Sequence, residues 1–242
     1  MRTTATHPKG AAQPLLHWRP PPWPSAEVLE GSYARLERLR VSHAAELFEA
    51  NSVDETIWDF LPYGPFATLD AYTDWIAARA AEADPHFYAI RDLATGRAAG
   101  VASYLRINPA AGSIEVGHIN LSPALQRTPA ATEAMVLMMR WAFEAGYRRY
   151  EWKCDAANLA SRRAAQRLGL SHEGVFRQAA VVKGRNRDTA WFAAIDAEWP
   201  GLQAVYNRWL ARENFDAEGR QRLSLSSLTR PLLAATDPAL EL

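Results

Sequence analysis

Between Glu115 and Gly169 the chain twice leaves a strand-like segment through a polar turn that opens a helix. The first passage reads IEVGHINL, then SPALQRTPAATEAM; the second reads RRYEWKCD, then AANLASRRAAQRLGL. Helix N-termini carry unpaired N–H groups and partial positive charge, so each turn can hold an anion. Two of them following two strand ends make the layout of a site for a phosphate-bearing cofactor, and they restrict the chain to an architecture that mixes strands and helices.

The segments around this stretch alternate in the same way. Ala134, Leu137, Met138, Trp141, Ala142 and Ala145 recur three and four apart and share one helix face, with Glu133, Arg140 and Glu144 opposite. Gly146 and Gly169 stop the two helices. Upstream, residues 31–39 alternate like a strand, 43–51 read as a short helix, and 68–83 read as a helix capped by Thr68. Residues 86–92, 100–107 and 114–121 read as a meander, 175–183 and 189–196 as a hairpin, and 202–211 as an amphipathic helix. The expected organisation is a Pro-rich arm over 1–29, a mixed α/β (α+β) domain over 30–196, and a helical extension and tail over 197–242. Trp18 and Trp23 favour an arm lying on the domain surface.

Composition narrows the function. The 242 residues carry 27 basic and 27 acidic side chains, which leaves no basic field for nucleic acid. Cys154 is the one cysteine, which suits a reducing compartment. No apolar run approaches the ~20 residues that span a membrane, and no signal-like segment opens the chain. A cytoplasmic protein is expected.

The order of elements, together with GHINLSPALQRTPAATEAM, NLASRRAAQRLGL and the following EGVFR, resembles the GNAT superfamily of acyl-CoA-dependent N-acetyltransferases. Within it the chain looks like the RimJ/RimL type of ribosomal-protein N-acetyltransferases. The resemblance covers about residues 30–196. It implies a mixed central sheet of about seven strands, splayed between the fourth (114–121) and fifth (148–155), with four or more flanking helices. It also implies acetyl-CoA as cosubstrate, no metal, and a primary amine as acceptor, on a small molecule or a protein. The superfamily's pyrophosphate turn has the form Gln/Arg-x-x-Gly-x-Gly/Ala, and Gln126 to Ala131 occupy it, with Pro129 where the family has its central glycine. Proline donates no N–H but suits the first helical position. Gln126, Arg127, Thr128, Ala130, Ala131 and Thr132 are the remaining candidates for pyrophosphate. Pantetheine falls to Asn158 and Ser161 by the same resemblance, and the thioester to the strand end at Ile119 and Leu121. Arg162, Arg163 and Arg167 are candidates for the 3′-phosphate, with Arg163 taken forward.

Acyl transfer to an amine requires a polarised carbonyl, a base for the ammonium proton, and a donor for the leaving thiolate. Glu115 is the first candidate base. His118 is the rival; it lies three residues on and so faces the other side of a regular strand. Ser161 is the candidate donor, Tyr150 a weaker acid, and Cys154 a conceivable acyl-carrying nucleophile. Trp58, Asp59 and Tyr63 lie in an acidic, aromatic loop suited to a cationic amine. The turn Lys183–Asp188 suits an anion or simply a solvated hairpin tip. Tyr206 and Trp209 on one helix face would allow a homodimer interface. A non-catalytic acyl-CoA-binding domain, or an enzyme for longer acyl chains, would use the same features.

Overall fold

The computed structural model describes residues 15–240. Eight strands form one sheet: β1 (Val28–Glu30), β2 (Ala34–Arg38), β3 (His86–Asp92), β4 (Arg97–Asn108), β5 (Ser113–Leu121), β6 (Arg149–Asp155), β7 (Ser171–Val182) and β8 (Arg185–Ile195). Their spatial order is β1-β2-β3-β4-β5-β6-β8-β7. Every neighbouring pair is antiparallel except β5–β6, which is parallel. The extra strand is β1, which lies at the end of the segment read as an arm and pairs with β2 through Leu29 and Leu36.

The pleat divides the apolar residues between two cores. On β3, Tyr88 and Ile90 face one core while Phe87 and Ala89 face the other. The larger core lies under α3 (Pro129–Glu144), α4 (Leu159–Arg167) and α5 (Trp199–Leu210). The smaller lies under α1 (Ala44–Asn51) and α2 (Leu69–Ala80), and it also buries Trp58. Thr68 caps α2 as expected, its hydroxyl accepting from the Ala71 N–H.

Helix α3 is buried nearly all round, because α5 and the β1–β2 turn cover the face that the sequence pattern leaves polar. Glu133, expected on that polar face, is buried instead. Its carboxylate accepts from the backbone N–H groups of Ser32, Tyr33 and Ala34. Gly31 is required beside it, since a Cβ there would stand 2.3 Å from Glu133 Cδ.

The C-terminal extension is part of the same core. Tyr206 and Trp209 are buried against α3, α4 and their own helix, so they do not supply the expected surface for a second copy. A short helix, α6 (Leu225–Thr229), follows, and the chain then runs along α4 and β7. Asp237 is fully buried there and takes two bonds of 2.6 Å from the Arg162 guanidinium. The Pro-rich segment does lie on the domain. Tyr147 and Tyr88 donate to the carbonyls of Pro22 and Ala26, and Trp18 sits over Gly112 and under the Arg148 guanidinium. No helix among the described residues is long and apolar enough to cross a membrane.

Candidate active site

The pairing of β5 with β6 stops at Val116 and Trp152. Gly117–Leu121 and Lys153–Asp155 then diverge as two prongs, and the backbone groups that face the gap have no partner strand. This is the splay expected between 114–121 and 148–155.

Two bulges shape this side of the fork, one on the β5 prong and one on β4. Between the pairs Val101–Asn120 and Ser103–Gly117 the register slips by one, so His118 and Ile119 together oppose Ala102. A second slip puts Arg106 and Ile107 opposite Ile114. His118 and Arg106 both take left-handed backbone, at φ 51° and 46°. A bulge re-aims the side chain it carries. Here it corrects the expectation that His118 and Glu115 face opposite sides. The His118 ring stacks on Tyr63 and packs on Phe87, on the α1/α2 face, and its Nδ1 lies 3.0 Å from the Tyr63 hydroxyl.

Glu115 is on that face too. Its partner Lys153 alternates along β6 with Trp152 and Cys154, which enter the opposite core. The Glu115 carboxylate, 3% exposed, lies 2.7 Å from Arg106 Nη1 and 2.8 Å from Lys153 Nζ. Lys153 is also 2.8 Å from Glu151 and sits 3.7 Å from the centre of the Trp191 ring. The sequence suggests a free carboxylate here; the structure shows a doubly ion-paired one. Arg106 and Lys153 escaped the sequence reading, although the charged positions of RYEWKCD, alternating with Tyr150, Trp152 and Cys154, mark Lys153 as a polar residue beside the gap. Burial, and then the nearby Arg79, Arg106 and Arg187 guanidinium groups, push the His118 pKa down to about 4, so the ring is neutral at physiological pH.

The turn after β5 is tied back to its strand by Gln126, whose Nε2 donates to the Leu121 carbonyl. Gln126 is thus a brace as well as a candidate contact. Arg127 has φ 62° and an exposed side chain, and Pro129 starts α3 with Thr128 as its cap. The N–H groups of Thr128, Ala131 and Thr132 are spent locally, on Leu125 O, Thr128 Oγ1 and Thr128 O. Arg127 and Ala130 keep N–H groups with no partner among the described residues. The Thr132 hydroxyl accepts from Arg167.

On the other turn, Asn158 caps α4 through Oδ1, which accepts from the Ser161 N–H. The Ser161 hydroxyl accepts from Trp152 Nε1 at 2.9 Å, at the point where the strands part, and this leaves its own proton to donate. Cys154 lies close by, and burial pushes its thiol up to about 11, which keeps it protonated and argues against a nucleophile. Tyr150 is buried beneath α3 on the paired part of β6, away from the gap, and so cannot serve as the acid. The three arginines separate cleanly. Arg162 is spent on Asp237 and Arg167 packs on Trp209 and Thr132, while Arg163 is exposed.

In the loop, Asp54 caps the turn at Thr56, and Trp58 is a core side chain beneath Gly64 rather than a contact surface. Asp59 is exposed, and Tyr63 reaches His118. The β7–β8 hairpin crosses to this loop, where Lys183 Nζ donates to the Trp58 carbonyl at 3.0 Å.

This geometry agrees with known proteins. The model of the acetyltransferase (GNAT) domain matches residues 34–171. A GCN5-related N-acetyltransferase from Brucella melitensis is 47% identical, with TM-score 0.87 over 89% of this chain and 100% of that one. A probable acetyltransferase of the GNAT family from Chromobacterium violaceum is 43% identical, with TM-score 0.75 over 81% of this chain and 100% of that one. A RimL ribosomal L7/L12 alpha-N-protein acetyltransferase shares the fold at 22% identity, with TM-score 0.60 over 70% of this chain and 94% of that one. No curated protein matches the chain. The forked sheet, the two helix-opening turns and these likenesses lead to one statement: the chain belongs to the GNAT family of acetyltransferases.

Proposed function

We propose that the chain transfers the acetyl group of acetyl-CoA directly to a primary amine, as a cytoplasmic enzyme. The observation that carries this reading is the fork itself, with unpaired backbone edges and a helix-opening turn beyond each prong. The free Arg127 and Ala130 N–H groups suit a pyrophosphate despite Pro129, and the exposed Arg163 suits the 3′-phosphate. The Asn158 amide, whose Oδ1 is committed to the helix, offers Nδ2 to the pantetheine arm between the prongs. Backbone N–H groups from Ile119 to Leu121 take the thioester oxygen as charge builds on it.

The amine nitrogen attacks the carbonyl carbon, the carbon–sulfur bond breaks, and the thiolate takes a proton. Ser161 donates a hydrogen bond to the departing sulfur, which needs no strong acid because a thiol's pKa is near ~8.5. The ammonium proton passes to the His118 imidazole, which Tyr63 holds and whose pKa of about 4 in the free protein has to rise when the acceptor binds. Glu115 holds Arg106 and Lys153 in place beside the gap through its ion pairs. Asp59 borders the acceptor.

The test is calorimetric titration with acetyl-CoA, followed by thiol release with a panel of primary amines. Absence of binding at millimolar acetyl-CoA overturns the reading. Binding without turnover of any amine would make the chain an acyl-CoA-binding module.

A further inference from the structure

We infer that the acceptor amine carries a carboxylate, and that Arg187 is the residue that receives it. This rests on the reading of the fork as an acetyl-transfer site and names the substrate class for it.

The placement comes from the register. The last pair between β6 and β8 is Asp155 with Thr189, yet β8 begins at Arg185. Residues 185–188 therefore overhang the end of β6, beside the gap. The Lys183–Trp58 bond anchors the overhang to the loop on the α1/α2 side, so the hairpin arches across the mouth of the fork. Arg187 lies four residues before Trp191, on the same face of β8. That is the face on which Trp191 meets Lys153, and Lys153 meets Glu115. Its charge contributes, after burial and other groups, at His118 of one prong and at Cys154 of the other, so it lies near both.

Arg187 is also uncompensated. Four other cations beside the fork have carboxylate partners: Arg79 with Glu82, Arg106 with Glu115, Arg149 with Glu151 and Glu173, and Lys153 with Glu115 and Glu151; Lys183 donates to the Trp58 carbonyl instead. Arg187 forms no ion pair among the described residues, and its Nε is buried without a hydrogen-bond partner. A half-buried guanidinium with an unmet donor is costly unless a ligand supplies the acceptor. The cofactor's phosphates would not serve, because the turn that suits them leads into α3, on the opposite face of the sheet. What arrives on the Arg187 face is the acceptor. A carboxylate matches the guanidinium fork in shape and charge. The acidic, aromatic composition of residues 54–66 had suggested a plain cationic amine, but Asp54 caps a turn and Trp58 is buried.

The experiment compares amino acids with their own carboxamides as acceptors in the acetyl-CoA thiol-release assay. The amide's lower amine pKa works in its favour, so preference for the acid cannot come from basicity. Wild type should use the acid with a kcat/KM about 10–100-fold higher, the range of one charge-assisted pair. Arg187→Met should bring that ratio close to one, and Arg187→Lys should retain part of it. Equal use of both acceptors by wild type, or a ratio untouched in Arg187→Met, overturns the inference. Should no amine turn over, calorimetric titration of the CoA-saturated protein with the same amino acids decides. Binding that Arg187→Met abolishes upholds the inference while the transfer reading fails, and no binding by wild type overturns both.

Discussion

Replacing Glu115 with glutamine separates two roles that the sequence leaves open. If Glu115 were the base, its loss would remove a contribution of ~10²–10⁴-fold in rate and leave folding nearly untouched. The structure points elsewhere. Its oxygens lie 2.7 Å from Arg106 and 2.8 Å from Lys153, in a site only 3% exposed. Breaking a buried pair costs ~3–5 kcal/mol where a charge is left alone. Here the cost is reduced, because Lys153 keeps Glu151 at 2.8 Å and Arg106 is 62% exposed and can turn to water. The glutamine oxygen can still accept one bond. A loss of about 2–3 kcal/mol remains, which for a chain of this size lowers the Tm by about 4–12 °C. Scanning calorimetry should record that fall, while kcat/KM measured well below the new Tm stays within about tenfold of wild type. A Tm unchanged within a degree, with activity down a hundredfold or more, would refute the ion-pair reasoning and restore Glu115 as the base.

Glu133→Ala should cost about 3 kcal/mol, since it strips the acceptor from three backbone N–H groups at the β1–β2 turn, and urea denaturation will measure it. Gly31→Ala should disturb the same contact by driving a Cβ into that carboxylate. Acid should destabilise the fold between pH 6.5 and 4. Burial holds His86, like His118, at about 4, so over that window the unfolded chain takes up protons that the folded chain refuses. The loss is at most about 3 kcal/mol for His86 and less for the more accessible His118; above pH 6.5 neither contributes. A Tm profile of His86→Gln flatter than that of wild type over this range is the check. Arg162→Ala should leave the Asp237 carboxylate buried and unpaired, and release the C-terminal segment to limited proteolysis.

Most of the framework could be read from the chain because it rests on local signals. The three-and-four spacing of Ala134 to Ala145, the glycine stops, and Thr68 and Asn158 as caps all act within a turn or two of themselves. What escaped depends on partners distant in sequence. Glu133 looks solvent-facing until the β1–β2 turn, a hundred residues earlier, is brought onto it. Tyr206 and Trp209 look like an interface until α5 is seated on α3. At the site, the turns and their caps were legible, and so were the residue types. The register was not: a bulge leaves no mark in a strand of alternating residues, and His118 and Arg106 are neither glycine nor asparagine.

Those two bulges are what bring the charges of the site together. In a regular strand, Arg106 and His118 would turn toward the α3 core, where neither has a partner. One slip each sends them to the face of Glu115, Lys153 and Tyr63. The consequence is a base poised by its neighbours. Burial first, and then three nearby guanidinium groups, make His118 a weak proton acceptor. Two of them are offset by Glu82 and Glu115, and the third, Arg187, is not. An acceptor whose carboxylate covers Arg187 removes the one uncompensated charge that opposes protonation of the ring, at the moment its ammonium group has a proton to give. The substrate's own anion would thus raise the basicity of the group that must deprotonate it. In Arg187→Met the same charge is absent without substrate, so the acidic limb of its pH–rate profile should lie at higher pH than that of wild-type free enzyme. A limb that does not move would separate Arg187 from the proton transfer and leave it as a recognition residue alone.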